Sequence, residues 1–278
     1  DLGNTVVIPG GFHIDKDSGT KVEEGIVIED ASGNQFVWIP TGTYRVSTSI
    51  DASGQLINNL SRRTFTTSRA TEVTASNGDG VIEYYYFGEG NSRSVAYNQI
   101  GAFKASADPG GKGGFYIGRY EQGAGNVCKA GVTPYIYITR DDAKAQAEAL
   151  CSSNSNVESE LISSYAWDTA LNFICQTNVG FGEKYNLAMA TTSRYGNLGT
   201  GSIKDTGEDN NDNYSNIHDF LGNCKEWTTE LSSGYGQSPC VARGGHIWTE
   251  AYYAASRGDF GAGESLNSFS FRTQMYVK

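Results

Sequence analysis

The clearest strand signal in the chain is the stretch Phe36-Val37-Trp38-Ile39-Pro40-Thr41-Gly42-Thr43-Tyr44. It opens with four residues of the apolar, β-branched and aromatic types that strands favour, and Pro40 and Gly42 then interrupt it. Similar short runs, each bounded by Gly or Pro, occur at residues 6–8, 25–29 and 113–117. We therefore predict a sheet made of short strands.

Two helices are predicted in the middle of the chain. The first opens at Thr139, and Asp141 and Asp142 follow in its first turn, where carboxylates suit the positive end of the helix dipole. The second covers residues 164–176. Its apolar residues fall on one helical face, at i, i+3, i+4 and i+7: Trp167, Ala170, Leu171 and Ile174.

Strands, two helices and a long end rich in Gly, Asn and aromatic residues indicate the α+β class with high irregular content. We expect residues 1–32 to form an N-terminal strand or hairpin extension, and residues 33–278 to form one domain. Within that domain, the stretch 47–110 is rich in Ser, Thr, Asn and Gly. It is predicted to be an irregular insertion that contains a hairpin.

The composition excludes two classes of partner. The 278 residues carry a formal net charge of −10, from 21 Lys and Arg against 31 Asp and Glu. Proteins that bind nucleic acid need a basic face to displace counterions, so we expect no nucleic-acid partner. No run of 18 or more apolar residues exists, so no membrane insertion is expected either.

Few residues have the spacing of a metal or catalytic site. The three histidines lack zinc-hydrolase spacing, and the five cysteines form no C-x-x-C pair. We therefore predict no catalytic residue, no metal ligand and no cofactor. One loop groups oxygen ligands of the kind that calcium prefers: Asp205, Glu208, Asp209, Asp212 and Asn213. It does not match the EF-hand pattern, and a structural calcium ion stays open beside a solvated loop.

Residues 246–268 have an unusual composition for a segment near the end of a chain. They interleave Trp248, Tyr252, Tyr253 and Phe260 with glycines and small polar residues. Antibody paratopes use a similar mixture, in which Tyr provides contact area and Gly and Ser let loops adapt. We expect Trp248 to be a core residue. We expect Tyr252 and Tyr253 to be exposed, because adjacent side chains on an extended segment point to opposite sides.

Six ordered blocks give the sequence a resemblance to a known family. They are residues 36–44, 114–121, 165–168, 221–228, 242–245 and 269–272. Together they resemble the formylglycine-generating-enzyme-like domains, which have a C-type-lectin-type fold. In particular, Leu221-Gly222-Asn223-Cys224-Lys225-Glu226-Trp227-Thr228 is similar to the G-N-V-W-E-W motif of that family. The resemblance implies a C-type-lectin-like domain over residues 33–278.

The copper site of the enzymes in that family has no counterpart in this sequence. Those enzymes bind copper through two cysteines shortly after the Arg-Gly-Gly block, but no cysteine follows Cys240 here. Thiolates are the natural ligands of Cu(I), and Thr and Tyr cannot replace them. The resemblance therefore implies a protein that is not an enzyme.

The same segment looks like the variable region of a diversity-generating-retroelement protein. Those variable proteins share the lectin-like fold, and adenine-directed mutagenesis rewrites the last part of their chains. The resemblance places the variable region at about 243–272, with Trp248 among its fixed positions. The diversified, ligand-binding positions would be His246, Ile247, Thr249, Glu250, Tyr252, Tyr253, Asp259, Phe260, Glu264, Leu266 and Asn267.

We interpret the chain as a non-catalytic ligand- or receptor-binding protein that displays this diversified surface outside a bacterial or archaeal cell, or on a virion such as a phage. Tyr252, Tyr253 and Phe260 would be the anchors, and Glu250, Asp259 and Glu264 the polar specifiers. The ligand is expected to be a protein, with a glycan as the alternative, and the oligomeric state stays open. Two other readings are a formylglycine-generating-type copper oxygenase and a structural virion or pilus subunit.

Overall fold

Short strands dominate the part of the chain that the structure describes. The computed structural model describes residues 6–40, 44–45, 56–57, 63–65, 72–74, 112–177, 196–231, 238–248 and 257–278. The two helices are α1 (Arg140–Leu150) and α2 (Ser164–Thr177). The strands are β1 (Phe12–Ile14), β2 (Val27–Asp30), β3 (Gln35–Pro40), β4 (Tyr44–Arg45), β5 (Leu56–Ile57), β6 (Arg63–Phe65), β7 (Glu72–Thr74), β8 (Gly114–Gly118), β9 (Val157–Leu161), β10 (Asn213–Tyr214), β11 (Ile217–His218), β12 (Lys225–Leu231), β13 (Cys240–Arg243), β14 (Arg257–Phe260), β15 (Phe269–Phe271) and β16 (Thr273–Val277).

The larger sheet is antiparallel and has the strand order β1-β2-β3-β8-β16-β9. The predicted strands at residues 25–29, 36–39 and 113–117 are confirmed as β2, β3 and β8. The strand predicted at residues 6–8 is wrong, because this segment is irregular and leads into Pro9. The Val7 carbonyl accepts a hydrogen bond from the Tyr116 hydroxyl at 2.8 Å, so a side chain satisfies it instead of a neighbouring strand.

A second sheet of four strands has the order β14-β13-β12-β15. Strands β12, β13 and β14 are antiparallel neighbours, whereas β15 lies parallel to β12. Because β15 and β16 are separated only by Arg272, the chain passes at that residue from the smaller sheet into the larger one. Three further strand pairs, β4–β5, β6–β7 and β10–β11, lie outside the two sheets.

The main hydrophobic core lies between the larger sheet and α2. Trp38 and Trp167 are both fully buried in it. Gly114 leaves room for the Trp38 ring, since a Cβ atom at that position would collide with it. Burying side chains of this size contributes about 1.5–3 kcal/mol each, which explains why the predicted apolar face of α2 points inward.

Helix α1 begins as predicted at Thr139, whose side chain accepts a hydrogen bond from the Asp142 backbone N–H. Ala143 and Ala147 of this helix are buried in a second apolar cluster, which also contains Trp227. The two predicted helices and the α+β class are therefore confirmed.

The N-terminal residues contribute directly to the larger sheet. Strands β1 and β2, from the predicted extension at residues 1–32, add two strands next to β3. Most of the predicted insertion at 47–110 lies outside the described residues, apart from β5, β6 and β7. Neither helix in the described part of the chain is long and apolar enough to cross a membrane.

Candidate functional site

Strand β14, within the predicted variable region, is an edge strand of the four-stranded sheet. Among the described residues its partner is β13, where Cys240 lies opposite Phe260 and Val241 opposite Asp259. Successive side chains of a strand point to opposite sides of the sheet. Asp259 and Phe260 therefore face in opposite directions, and the structure does not bring these two predicted ligand contacts together.

Phe260 is half-buried and packs on an aromatic cluster. Its ring centroid lies 4.6 Å from that of Phe269 and 5.8 Å from that of Trp227, with edge-to-face geometry in both pairs. A Cβ atom at Gly258 would lie 2.6 Å from the Phe260 ring, so the glycine leaves space for that ring to fold back along its own strand. Phe260 thus contributes to the floor of the site rather than standing exposed as an anchor.

Trp248 is a correction to the sequence interpretation. It was expected in the core, but its side chain is 54% exposed, whereas Trp38, Trp167 and Trp227 are fully buried. Its indole Nε1–H donates to the Asn267 Oδ1 atom at 3.2 Å. The bond joins the exposed ring to the connection that leads into β15.

Leu266 and Asn267 lie beside the exposed tryptophan. The Leu266 side chain is 43% exposed, and Asn267 is half-buried. Glu264 is also half-buried, and its Oε1 atom accepts the Gly261 backbone N–H at 2.7 Å. These three predicted positions are thus held on one connection between β14 and β15.

The remaining predicted positions differ in their surroundings. His246 is half-buried and its Nδ1 atom accepts the Trp248 backbone N–H at 3.3 Å. Burial, together with the nearby charge of Lys225, lowers the pKa of His246 to about 4, so its ring is neutral at physiological pH. Ile247 is buried, so its side chain does not fit the expected ligand contact. Four predicted positions lie outside the described residues: Thr249, Glu250, Tyr252 and Tyr253.

Backbone hydrogen bonds fix the segment that carries His246 and Ile247. The Ile247 N–H donates to the Asn223 carbonyl at 3.3 Å, and the Gly201 N–H donates to the Ile247 carbonyl at 2.8 Å. The Gly245 N–H donates to the Leu221 carbonyl at 3.3 Å. The Arg-Gly-Gly block is therefore tied to the block that contains Asn223, and we call the two blocks together the frame.

A fully buried ion pair lies beneath this frame. The Arg272 Nη2 and Glu226 Oε1 atoms are 2.8 Å apart, and neither side chain is exposed. Arg272 also donates to the carbonyls of Gly118 and His218, each at 2.8 Å. Burial raises the pKa of Glu226 to about 7, an effect that Arg272 opposes. One arginine thus links strands β8, β11 and β12.

Glu121 holds the turn before β12. Its Oε2 atom accepts the Asn223 side-chain amide at 2.6 Å, and its Oε1 atom accepts the Cys224 backbone N–H at 2.9 Å. Asn223 has a φ of 63°, a left-handed conformation that Asn tolerates better than most residues. Burial, with the carboxylates of Asp219 and Glu226, raises the pKa of Glu121 well above its ordinary value.

Two buried basic side chains support backbone carbonyls near the predicted variable region. The Lys225 Nζ atom donates to the Gly244 carbonyl at 2.9 Å, and Arg243 Nη1 donates to the Ser164 carbonyl at 3.4 Å. Arg243 also lies over the Trp167 ring. Arg243 thus bonds to the first residue of α2, whereas the carbonyl partners of Arg272 lie in strands β8 and β11.

The described residues do not group into a metal site. Among them, no cluster of three or more His, Cys, Asp or Glu side chains has suitable geometry. In the loop considered for calcium, Asp209 accepts Lys204 Nζ at 2.9 Å, and buried Asp212 accepts the backbone N–H groups of Leu221 and Gly222. The thiols of Cys128, Cys151, Cys224 and Cys240 are free and buried.

One exposed aromatic residue near this site was not singled out from the sequence. Tyr137, in the loop before α1, is 64% exposed, and its backbone N–H donates to the Leu266 carbonyl at 3.1 Å. Tyr135, two residues earlier, is half-buried against the aromatic cluster. The sequence contains no signal for this difference, because residues two apart in an extended segment point to the same side. The φ of 55° at Tyr137 breaks that pattern.

Comparisons with known proteins identify structures of similar arrangement. No family profile and no curated protein matches the chain. PvdO from Pseudomonas aeruginosa is 10% identical, with 90% of this chain and 98% of that chain covered and a TM-score of 0.45. Treponema denticola variable protein 1 is 12% identical, with 88% and 96% covered and a TM-score of 0.40. The Major Tropism Determinant U1 variant is 12% identical, with 88% and 64% covered and a TM-score of 0.38.

Both protein classes named by the sequence resemblance are represented among these structures. Since the TM-scores are below 0.5, the similarities carry no function to this chain.

Proposed function

We propose that this chain is a non-catalytic binding protein that holds a diversified C-terminal segment on a constant frame. One observation carries the proposal. Among the residues whose burial the structure describes, the constant positions of the resemblance are buried apart from Trp248, and the diversified positions are half-buried or exposed apart from Ile247. Arg243, Gly244 and Arg272 are buried, whereas Asp259 and Leu266 are exposed. A surface that accepts many side chains should contribute little to the stability of the fold, and this division meets that requirement except at Ile247 and Phe260.

The segment is also supported in the manner of a binding loop. Binding residues commonly lie on loops that a rigid scaffold positions. Here the scaffold consists of the Arg272–Glu226 pair and the Glu121–Asn223 contact, both buried under the segment. The proposed ligand is a protein met outside the cell or at the surface of a virion. Ile247 is left out of the proposed contact set because it is buried.

The DNA around the gene tests the proposed diversification. We expect a reverse-transcriptase gene nearby, together with a near-copy of the 3′ end of this gene. Adenines in that copy should fall in the codons that differ between isolates, including those for Asp259, Leu266 and Asn267. The codons for Arg243 and Arg272 serve as the internal control and should not vary. A locus without either element, with codons 246–267 identical in many isolates, would refute the proposal.

A copper titration separates this function from that of an oxygenase. Cys240 is the last cysteine of the chain, so the thiol pair of the related enzymes is missing after the Arg-Gly-Gly block. We expect no stoichiometric Cu(I) binding by the folded protein, and no change when its thiols are alkylated. One equivalent of Cu(I) bound tightly, and lost on alkylation, would favour the enzyme.

A further inference from the structure

Hydrogen bonds bring three exposed apolar residues together at the candidate site. Within the described residues, four large apolar side chains are exposed: Ile8, Tyr137, Trp248 and Leu266. Tyr137 bonds through its backbone to Leu266, and Trp248 bonds through its indole to Asn267, the next residue. Isolated exposed apolar residues are ordinary, whereas a contiguous group of them marks an interaction surface. We call Tyr137, Trp248, Leu266 and Asn267 the aromatic face.

Two of these residues belong to parts of the chain that are not expected to vary. Tyr137 lies outside residues 243–272, and Trp248 is among the constant positions of the resemblance. Tyr137 also has a φ of 55°, a conformation that few residues other than Gly, Asn and Asp adopt. The aromatic face therefore combines constant rings with diversified neighbours, and Leu266 and Asn267 lie between them.

Acidic side chains lie on the two segments that carry Tyr137 and Leu266. Asp141 comes four residues after Tyr137, and Glu264 comes two residues before Leu266. Both carboxylates act on the pKa of Cys240, which burial raises, and Cys240 lies opposite Phe260 in the sheet. The Asp141 side chain is 78% exposed, and its Oδ1 atom lies 3.6 Å from the Arg140 Nη1 atom. His246 adds no positive charge at neutral pH, because its pKa is about 4.

We propose that the aromatic face binds a protein segment that carries exposed Lys or Arg side chains, with Tyr137 and Trp248 as constant anchors. This inference rests on the proposed function and names the partner class of the same site. Cations are attracted to the faces of Trp and Tyr rings, and the two carboxylates add charge complementarity. Leu266 and Asn267 then adjust which segment is preferred. The chain's net charge of −10 favours the encounter with a basic partner.

The chain contains its own reporter for this face. Of its four tryptophans, Trp248 is exposed and the other three are fully buried, so a water-soluble quencher such as acrylamide acts mainly on Trp248. Three probes are titrated: a twelve-residue peptide of alternating Arg and Ser, the same peptide with Glu in place of Arg, and cellohexaose. We expect only the Arg peptide to protect Trp248 from quenching.

Variants test the role of each residue. Tyr137→Ala should weaken binding of the Arg peptide at least about tenfold, a loss of about 1.4 kcal/mol, with unchanged thermal unfolding. Ile8→Ala is the matched control, because Ile8 is also an exposed apolar residue but lies far from the aromatic face. The nearby Gly10 carbonyl accepts hydrogen bonds from Asn154 and Asn156, which follow the C-terminal end of α1, whereas Tyr137 precedes its N-terminal end. Glu264→Gln should weaken binding, whereas Asp17→Asn, at an exposed carboxylate outside the face, should not.

The outcomes separate this inference from the function on which it rests. Protection of Trp248 by cellohexaose alone, or by no probe, overturns the protein partner with basic side chains. If Leu266→Ala abolishes binding of the Arg peptide and Tyr137→Ala leaves it unchanged, Tyr137 is not part of the site. The diversified segment would then still be the binding surface. The proposed function itself is tested by the DNA around the gene and by the copper titration, and the quenching experiment addresses neither.

Discussion

Arg272 shows how much of the site depends on one buried side chain. It pairs with Glu226 and also donates to the Gly118 and His218 carbonyls, with no exposure to water. Removing one partner of a buried ion pair leaves the other charge without compensation. We expect Arg272→Met to lower the free energy of unfolding by about 3–5 kcal/mol, measured by chemical denaturation.

A second substitution separates two effects of Arg272→Met: the uncompensated charge on Glu226 and the loss of packing around the side chain. Adding Glu226→Gln to Arg272→Met removes the stranded charge, so the double variant should be less destabilised than the sum of the two single variants. Lys21→Met is the control, because Lys21 and Glu24 form an exposed pair with atoms 3.7 Å apart. Exposed pairs of this kind contribute less than about 1 kcal/mol. Strict additivity of the two single effects would contradict the structural role given to the pair.

At the scale of the element, β14 and the connection that follows it have different roles. Phe260 packs on Trp227 and Phe269, whereas Leu266, on the connection that follows β14, is exposed. We expect Phe260→Ala to lower the free energy of unfolding by about 2 kcal/mol, somewhat less than for a fully buried Phe. Leu266→Ala should change it by no more than about 0.5 kcal/mol. Equal effects of the two substitutions on urea unfolding would show that Phe260 is not part of the floor.

Elements with local signals could be predicted from the sequence, and those that depend on distant contacts could not. Thr139 caps α1 through its own side chain, and the apolar face of α2 follows helical spacing. The apolar run at residues 6–8 was misleading because its partner is the Tyr116 hydroxyl, more than 100 residues away. Trp248 was misplaced because a large apolar ring is usually buried, whereas its indole is exposed and bonds to Asn267. Composition indicates that a segment is aromatic, but not which rings face water.

At the scale of the whole molecule, ionisable side chains are buried in a chain whose net charge is −10. Near the predicted variable region these are Glu121, Asp212, Asp219, Lys225, Glu226, Arg243 and Arg272. Most of them lie in the blocks of the resemblance, which marks their positions but not their contacts. Asp212 and Asp219 lie outside those blocks. Asp212 comes from a separate loop, and its role emerges only when the fold brings that loop to the residues before β12.

Lys225 makes this buried charge measurable as a pH dependence of stability. Burial, and then the neighbouring Arg243, lower the pKa of Lys225 to about 7, whereas an unfolded chain has a lysine pKa of about 10.4. Between these two values the unfolded chain binds more protons than the folded one, so the contribution of Lys225 to stability rises with pH. This contribution is complete when the pH is above the lysine pKa of the unfolded chain, and it is lost as the pH falls towards 7.

We therefore expect the stability of the wild type, relative to Lys225→Met, to increase from pH 7 to pH 10. The increase should not exceed about 1.4 kcal/mol per pH unit, the free energy that corresponds to one pKa unit. Thiols and tyrosines titrate in the same pH range, but their contributions to stability are common to both proteins and cancel in the difference. Lys21→Met is the control, and its difference from the wild type should stay constant with pH because Lys21 is exposed. If urea unfolding at pH 7, 8.5 and 10 gives a constant difference for Lys225→Met as well, the amine is not buried in the folded protein, and the support it gives to Gly244 is absent.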